Sequence, residues 1–414
     1  MLLSSLTFFL VVTSHQQQSS SSIHNHSSST TLLSPLQADN EDQYEEHPSR
    51  WRRRTEKRRQ RTEELLDSIE DGTFLHLTPT QPLVELQNLQ IPTLQIPQTI
   101  NWNTINPQLD PIQGGKLRQG TQRGLRKRAQ VEAFHHLVST FLDAKLQKVD
   151  DNISSYEEMD GVTIIDAGCG AGNLAISLAG IPYSSNMNVN VLAVDVNDHA
   201  LDRLTKRAQI LPPEKLAVLS ADLANYDLIQ SKIPPNHSVI VVSLHACGAA
   251  SDMAMNLAIR CKAPFVICPC CTAKSLTKRL PQDTGKRTTF DLSASFQRSG
   301  ATSDIVYPRS NWLRNKLHDG DALAAMSLEE KYTILAKTAD VGLGPQIPSQ
   351  QRLQQSRAKK IVELDRLMAA SEGYGYDVRL MRISGHDPLV YGKGELLIGG
   401  KDVADVLLTL AEDE

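Results

Sequence analysis

Three closely spaced glycines raise the first chemical question. Asp166-Ala167-Gly168-Cys169-Gly170-Ala171-Gly172 follows an apolar, β-branched stretch, Val162–Ile165, and runs into Leu174–Leu178. Strand, glycine turn and helix in that order let a backbone bend tightly and a ligand come close at the carboxyl end of a strand. The spacing narrows the ligand: the third glycine stands two residues after the second, whereas the dinucleotide fingerprint needs it three after. An acid at the head of the loop suits S-adenosylmethionine better than a pyrophosphate, which it would repel. The next apolar run, Val189–Asp195, ends in a carboxylate placed to accept hydrogen bonds from ribose hydroxyls, and Asp222 follows Leu216–Leu219, where it reaches an adenine amino group. Asp166, Gly168, Gly170, Gly172, Asp195 and Asp222 are the expected cofactor contacts. The alternative is a Rossmann-like domain holding another nucleotide.

A second group is rich in thiols. Ser243-Leu244-His245-Ala246-Cys247-Gly248 closes one apolar run and Cys268-Pro269-Cys270-Cys271 closes the next. His245, Cys247, Cys270 and Cys271 are the candidate catalytic residues. The thiols have three readings. They form a substrate-shaping wall, since free cysteine packs as a small buried residue. They bind zinc, although the usual separated ligand pairs are missing; no metal ligand is assigned. Or one thiolate attacks a pyrimidine ring before methyl transfer. His245 is either a general base or positioning group, or a satisfied core histidine.

The surrounding pattern must bring these groups together. Strands at 162–166, 189–195, 216–219, 238–244 and 264–268 alternate with helices opening at Leu174 and spanning His199–Ile210 and Ala249–Arg260. Short connections between them predict an α/β fold, a doubly wound, Rossmann-like parallel sheet. The ends carrying His245 and Cys268 then lie side by side, next to the glycine loop. Ahead of this region, Val131, Phe134, Leu137, Val138 and Phe141 recur at helical spacing. After it come a polar insertion at about 275–327, helices at Leu328–Ala339 and Gln355–Glu372, and strands at Tyr376–Ile383 and Glu395–Gly399.

Three regions follow from composition: 1–48, a leader and a low-complexity, disordered N-terminal extension; 49–115, a basic helix and an irregular linker; and 116–414, the catalytic domain. Leu2–Thr13 resembles a signal-peptide core without its basic flank, and 15–37 resembles a transit segment without arginine. The net charge of -4 gives no global argument for nucleic acid, so that argument rests on two basic stretches, 50–61 and 116–128. The first also reads as a solvated helix face. All six cysteines lie in the middle of the chain, unlike a secreted disulfide scaffold. The expected setting is cytoplasmic, with an organelle reached through residues 1–37 as the alternative. No run is long enough to span a membrane, and the oligomeric state is not encoded in any motif.

The paired motifs carry a family resemblance. SLHACGAASD at Ser243–Asp252, Cys-Pro-Cys-Cys after the next strand and the glycine loop resemble the methyltransferase domain of the glutathione S-transferase C-terminal domain-containing proteins. More distantly, they resemble that of tRNA 2'-O-methyltransferases. Pro107–Gly115, Lys127-Arg128-Ala129-Gln130 and Ile361–Arg366 agree as well. The resemblance covers roughly residues 100–400 and implies a class I methyltransferase that uses S-adenosyl-L-methionine. It places Asp166, Gly168, Gly170, Asp195 and Asp222 on the cofactor, and His245, Cys247, Cys270 and Cys271 on the substrate side. It also favours an RNA, tRNA-like substrate methylated on oxygen or nitrogen. C5-pyrimidine methylation through Cys247 or Cys270, and a non-catalytic binding module that keeps the fold, are the rivals. The short, polar stretch ahead of the resemblance is not expected to form a glutathione-transferase-like domain, so functions resting on one are not expected to transfer.

Overall fold

The computed structural model describes residues 50–75, 83–97, 99–151, 161–184, 187–246, 248–271, 305–319, 323–340, 347–386, 394–401 and 403–410. The leader and low-complexity readings of 1–48, the 275–304 part of the polar insertion, and Cys247 lie outside them.

In chain order the first elements are α1 (Arg50–Glu70), β1 (Phe74–Leu75), β2 (Val84–Glu85), β3 (Thr93–Leu94) and α2 (Gln122–Asp151). The alternating region holds β4 (Gly161–Ala167), α3 (Ala175–Gly180), β5 (Val189–Asp195), α4 (Asp198–Ala208), β6 (Leu216–Ser220), α5 (Tyr226–Gln230), β7 (His237–Leu244), α6 (Ala249–Arg260) and β8 (Phe265–Cys268). Then follow α7 (Asn311–Asp319), α8 (Leu328–Ala339), α9 (Ser349–Tyr374), β9 (Asp377–Ile383), β10 (Glu395–Gly400) and α10 (Ala404–Thr409). No helix among the described residues is long and apolar enough to cross a membrane.

Eight strands form one sheet in the order β3-β9-β10-β8-β7-β4-β5-β6. The chain steps outward from β4 through β5 to β6, then returns to lay β7 on the other side of β4, all in parallel. That reversal between β4 and β7 is the switch point at which open α/β sheets bind ligands. β8 continues in parallel, while β10 runs antiparallel to both β8 and β9. β4 is buried along its whole length, as its unbroken apolar run requires of a central strand.

Side chains alternate between two core layers. Ile165, Val241 and Ile267 face one layer, covered by α1, α6, α8 and α9. Ile164, Val242 and Cys268 face the other, covered by α2, α3 and α10. α1 exposes Arg53, Arg54, Lys57 and Arg58 and buries Leu65, Leu66 and Ile69, at i, i+1 and i+4. Its acids Asp67 and Glu70 grip Arg357 of α9 at 2.6 and 2.7 Å, joined by Glu63. α9 ends at Gly375, which takes the left-handed conformation (φ 66).

The structure departs from the sequence reading in two places. Within the expected linker, Thr93 and Leu94 pair in parallel with Arg382 and Ile383 and extend the main sheet; two residues are too few for a period to register. Within the segment read as a polar insertion, 305–319 buries Ile305, Tyr307, Leu313 and Leu317 and carries α7.

Candidate functional site

The glycine loop leaves β4 at the switch point. Gly168, Gly170 and Gly172 all adopt positive φ, at 78, 54 and 74°. A Cβ at Gly172 would meet Leu204 Cγ at 2.5 Å, whereas one at Gly170 would face open space. Gly172 is thus required by packing and Gly170 leaves the backbone approachable. The Asp195 carboxylate holds the loop in place: Gly170 N–H donates to Oδ2 at 2.8 Å and Asn197 N–H to Oδ1 at 2.9 Å. Each oxygen keeps a lone pair. Asp222, half-buried at the next strand end, accepts from Ala224 N–H at 2.9 Å.

Asp166 is 1% exposed, and neither carboxylate oxygen has a hydrogen-bond partner at normal geometry. Burial raises its pKa to about 7, opposed by Ala175 N–H, reinforced by Asp195 and opposed again by Lys127. Behind the loop, Arg207 donates to Ala171 O at 3.2 Å, to Asn173 Oδ1 at 2.7 Å and to Gln108 O at 2.9 Å. The Pro107–Gly115 segment therefore braces the loop from outside.

The thiol-rich ends meet beside it. Ala246 Cβ lies 3.3 Å from a Cβ built on Gly168, which puts the β7 end against the glycine loop. His245 has φ 69, a left-handed conformation that strains a residue with a side chain. Its N–H donates to Cys268 O at 3.0 Å, and the Cys270 thiol approaches its carbonyl at 3.7 Å. Gly248 N–H donates to Cys271 O at 2.9 Å. The His245 ring Nε2 is 3.1 Å from Gln130 Oε1, on a fully buried side chain of α2. Cys270 and Cys271 Sγ are 3.8 Å apart and partly exposed, while Cys268 is buried and its pKa is pushed up to about 12 by desolvation. The structure thus brings His245, Cys270 and Cys271 together. Among the described residues no set of three or more His, Cys, Asp or Glu side chains is gathered for a metal.

The β7 loop rests on buried charge. Asp252 of α6 accepts from Tyr307 OH at 2.6 Å, Arg309 Nη1 at 2.8 Å and Arg366 Nε at 3.2 Å. Burial opposes ionisation of Asp252, but Arg366 and Arg309 hold its pKa below the ordinary range. Arg366 also donates to Glu363 Oε2 at 2.8 Å and to Gly248 O at 3.4 Å. Asp252 and Arg366 are the last residues of two motifs far apart in the chain, Ser243–Asp252 and Ile361–Arg366, and here they pair.

The basic stretch 116–128 divides. Lys116, Arg118 and Arg123 are exposed or half-exposed. Arg128 is committed to Asp110 through contacts of 2.6 and 3.1 Å and lies 5.5 Å over Trp102. Lys127 points inward instead. Burial lowers its pKa to about 8, with Arg123 acting the same way and Cys268, Cys270 and Asp166 opposing. Lys127 and Gln130 were legible in register, four residues before Val131 and Phe134 of the core-facing series, but their polarity masked it. His386, buried after β9 with its pKa lowered by burial and sensing Arg126 and His245, carried no motif.

Residues 126–278 match the family model of a methyltransferase domain. The glutathione S-transferase C-terminal domain-containing protein of Bos taurus is 24% identical over 283 residues, 68% of this chain and 34% of that protein. A homolog of it in Drosophila pseudoobscura pseudoobscura is 29% identical over 213 residues, 51% of this chain and 29% of that protein. The chain spans about a third of the length of these relatives. Among solved structures, an rRNA methylase from Streptococcus thermophilus is similar at 20% identity and a TM-score of 0.22, covering 27% of this chain and 62% of that one. The likeness to methyltransferase-domain proteins implied by the paired motifs is thus found in the sequence match, and the strand order is that of a Rossmann-like sheet.

Proposed function

We propose that this chain is an S-adenosylmethionine-dependent methyltransferase acting on RNA, a tRNA-like substrate methylated on oxygen or nitrogen. The observation that carries the cofactor reading is Asp195, fixed by Gly170 N–H at the switch point with a lone pair left on each oxygen. The residues fit the cofactor. Gly170 faces open space, and the buried Asp166 carboxylate has both oxygens available to a donor. Asp195 and Asp222 would hold the ribose and adenine, and Asp166 with the Gly168–Gly172 backbone the methionine end. When bound, the cofactor supplies a methyl group activated by a sulfonium. His245, steadied by Gln130, orients the acceptor, and Cys270 and Cys271 wall its pocket and exclude water.

Support for RNA comes from the relatives of the motif and from solvent-facing cations: Arg53, Arg54, Lys57, Arg58 and Arg61 on α1, and Lys116, Arg118 and Arg123 before the site. The described thiols are unbridged, which suits a cytoplasmic setting. The test compares modified nucleosides by mass spectrometry in cells with and without the protein. One methylated nucleoside should disappear, and return with the wild-type chain but not with Asp195→Ala. An unchanged nucleoside profile defeats the RNA reading.

A further inference from the structure

Among the described residues, most buried cations of the cleft and its supports are paired with a carboxylate, and Lys127 is not. Arg128 has Asp110 at 2.6 Å, Lys359 has Glu395 at 2.6 Å, and Arg366 has Asp252 at 3.2 Å. Lys127 is half-buried and makes no hydrogen bond or ion pair with a described residue. A cation withdrawn from water is ordinarily paired, so an unpaired one at a binding cleft needs an account. Its place supplies one. Lys127 lies on the sheet-facing side of α2, one turn before Gln130, whose amide meets His245. Strand alternation turns Asp166, Leu244 and Cys268 toward that same helix-covered layer, as it does Ile164, Val242 and Val266. β7 lies between β4 and β8, and the Lys127 charge interacts with Asp166 at the end of one and with Cys268 and Cys270 at the end of the other. That is where the cofactor half of the site meets the acceptor half.

We propose that Lys127 is the proton acceptor of the transfer reaction, held neutral by the positive charge of the bound methyl donor. The inference rests on the S-adenosylmethionine reading above. As the acceptor oxygen or nitrogen forms its bond to the methyl carbon, the carbon–sulfur pair stays on sulfur. The acceptor's proton passes to Lys127 Nζ, so one positive charge leaves sulfur and one appears on nitrogen. The groups that face Lys127 are Arg123 on its own helix, Asp166 from β4, and Cys268 and Cys270 from the β8 end. Burial already brings its pKa to about 8. A sulfonium on the same side lowers it further, because like charges disfavour protonation. The demethylated product is uncharged at sulfur and lacks that effect.

Calorimetry in buffers of different ionisation enthalpy tests this on the full chain. Near pH 8, S-adenosylmethionine should release about half a proton on binding, and S-adenosylhomocysteine close to none. Lys127→Met should bind both with no difference in proton release. Lys127→Arg, whose charge cannot leave, should bind S-adenosylmethionine roughly tenfold more weakly than the wild type while keeping its affinity for S-adenosylhomocysteine. Equal proton release by the two ligands in the wild type, or an undiminished difference in Lys127→Met, overturns the inference and leaves the cofactor reading standing. Absence of binding by either ligand to the folded wild type overturns both.

Discussion

The two halves of the cleft are built from different materials. On the cofactor side, β4, β5 and β6 end in glycines and carboxylates, and the backbone and Asp195 shape the loop. On the acceptor side, the β7 and β8 ends carry a strained histidine and three thiols among the described residues, supported by α2 above and by the Asp252–Arg366 network below. Apart from the buried Asp166, the cofactor half binds with groups that a water-filled cleft tolerates, Asp195 and Asp222 among them. The acceptor half depends on polar groups held out of water, so its geometry is tied to folding. A mutation on one side should therefore change binding with little loss of stability, and one on the other should change stability or turnover first.

The largest effect should come from Arg366→Met, which removes one arm of a fully buried charge cluster and the donor to Gly248 O. Breaking such a cluster costs about 3–5 kcal/mol, read by denaturant unfolding. A loss below about 1 kcal/mol would show that the acceptor loop does not depend on that charge.

Asp166 gives the cofactor half its own pH signature. Its pKa rises on folding from an ordinary 3.8 to about 7, so its ionised form disfavours the fold. Stability of the ligand-free chain is lost as the pH climbs between those two values, by up to a few kcal/mol. Asp166→Asn lacks this titration. Its stability advantage should widen from pH 5 to pH 8, and a constant gap across that range would contradict the burial argument.

A smaller effect separates chemistry from binding. Gln130→Leu removes one partner of the His245 ring, worth about 1 kcal/mol. Turnover should fall several-fold while affinity for S-adenosylmethionine stays unchanged; an equal loss in both would place Gln130 on the cofactor side. Smallest is the exposed charge of α1. Replacing Arg54, Lys57 and Arg58 with glutamine should flatten the salt dependence of RNA binding by about 0.7–0.9 in log–log slope for each of these cations that neutralises a phosphate, without changing cofactor affinity. An unchanged slope removes α1 from the RNA surface.

The same division explains what could be read in advance. Strands β4, β5, β7 and β8 announce themselves as apolar runs, and the glycine spacing and the acids at strand ends follow directly from them. The adjacency of the His245 and Cys268 ends followed from the alternation alone. Hidden were the parts where charge is buried. Lys127 passed for one more cation in a basic run, Arg309 fell within the stretch read as a polar insertion, and Arg366 closed a motif with no partner assigned, because hydropathy counts every charge as solvated. Only the packing of α2 on the sheet, and of α6 on α9, reveals which charges face inward. β3 escaped for a different reason: its partner β9 lies far away in sequence, as the Thr93–Arg382 pairing shows, and nothing local encodes that pairing.

The central claim is that the β4 loop and Asp195 hold S-adenosylmethionine. Calorimetry with that ligand on the wild-type chain and on Asp195→Ala tests it most directly. The wild type should bind, and the variant should bind about 10–100-fold more weakly, the effect of losing hydrogen bonds to a charged acceptor, with its unfolding curve little changed. A folded wild-type chain that does not bind, or a variant that binds equally well, would contradict it.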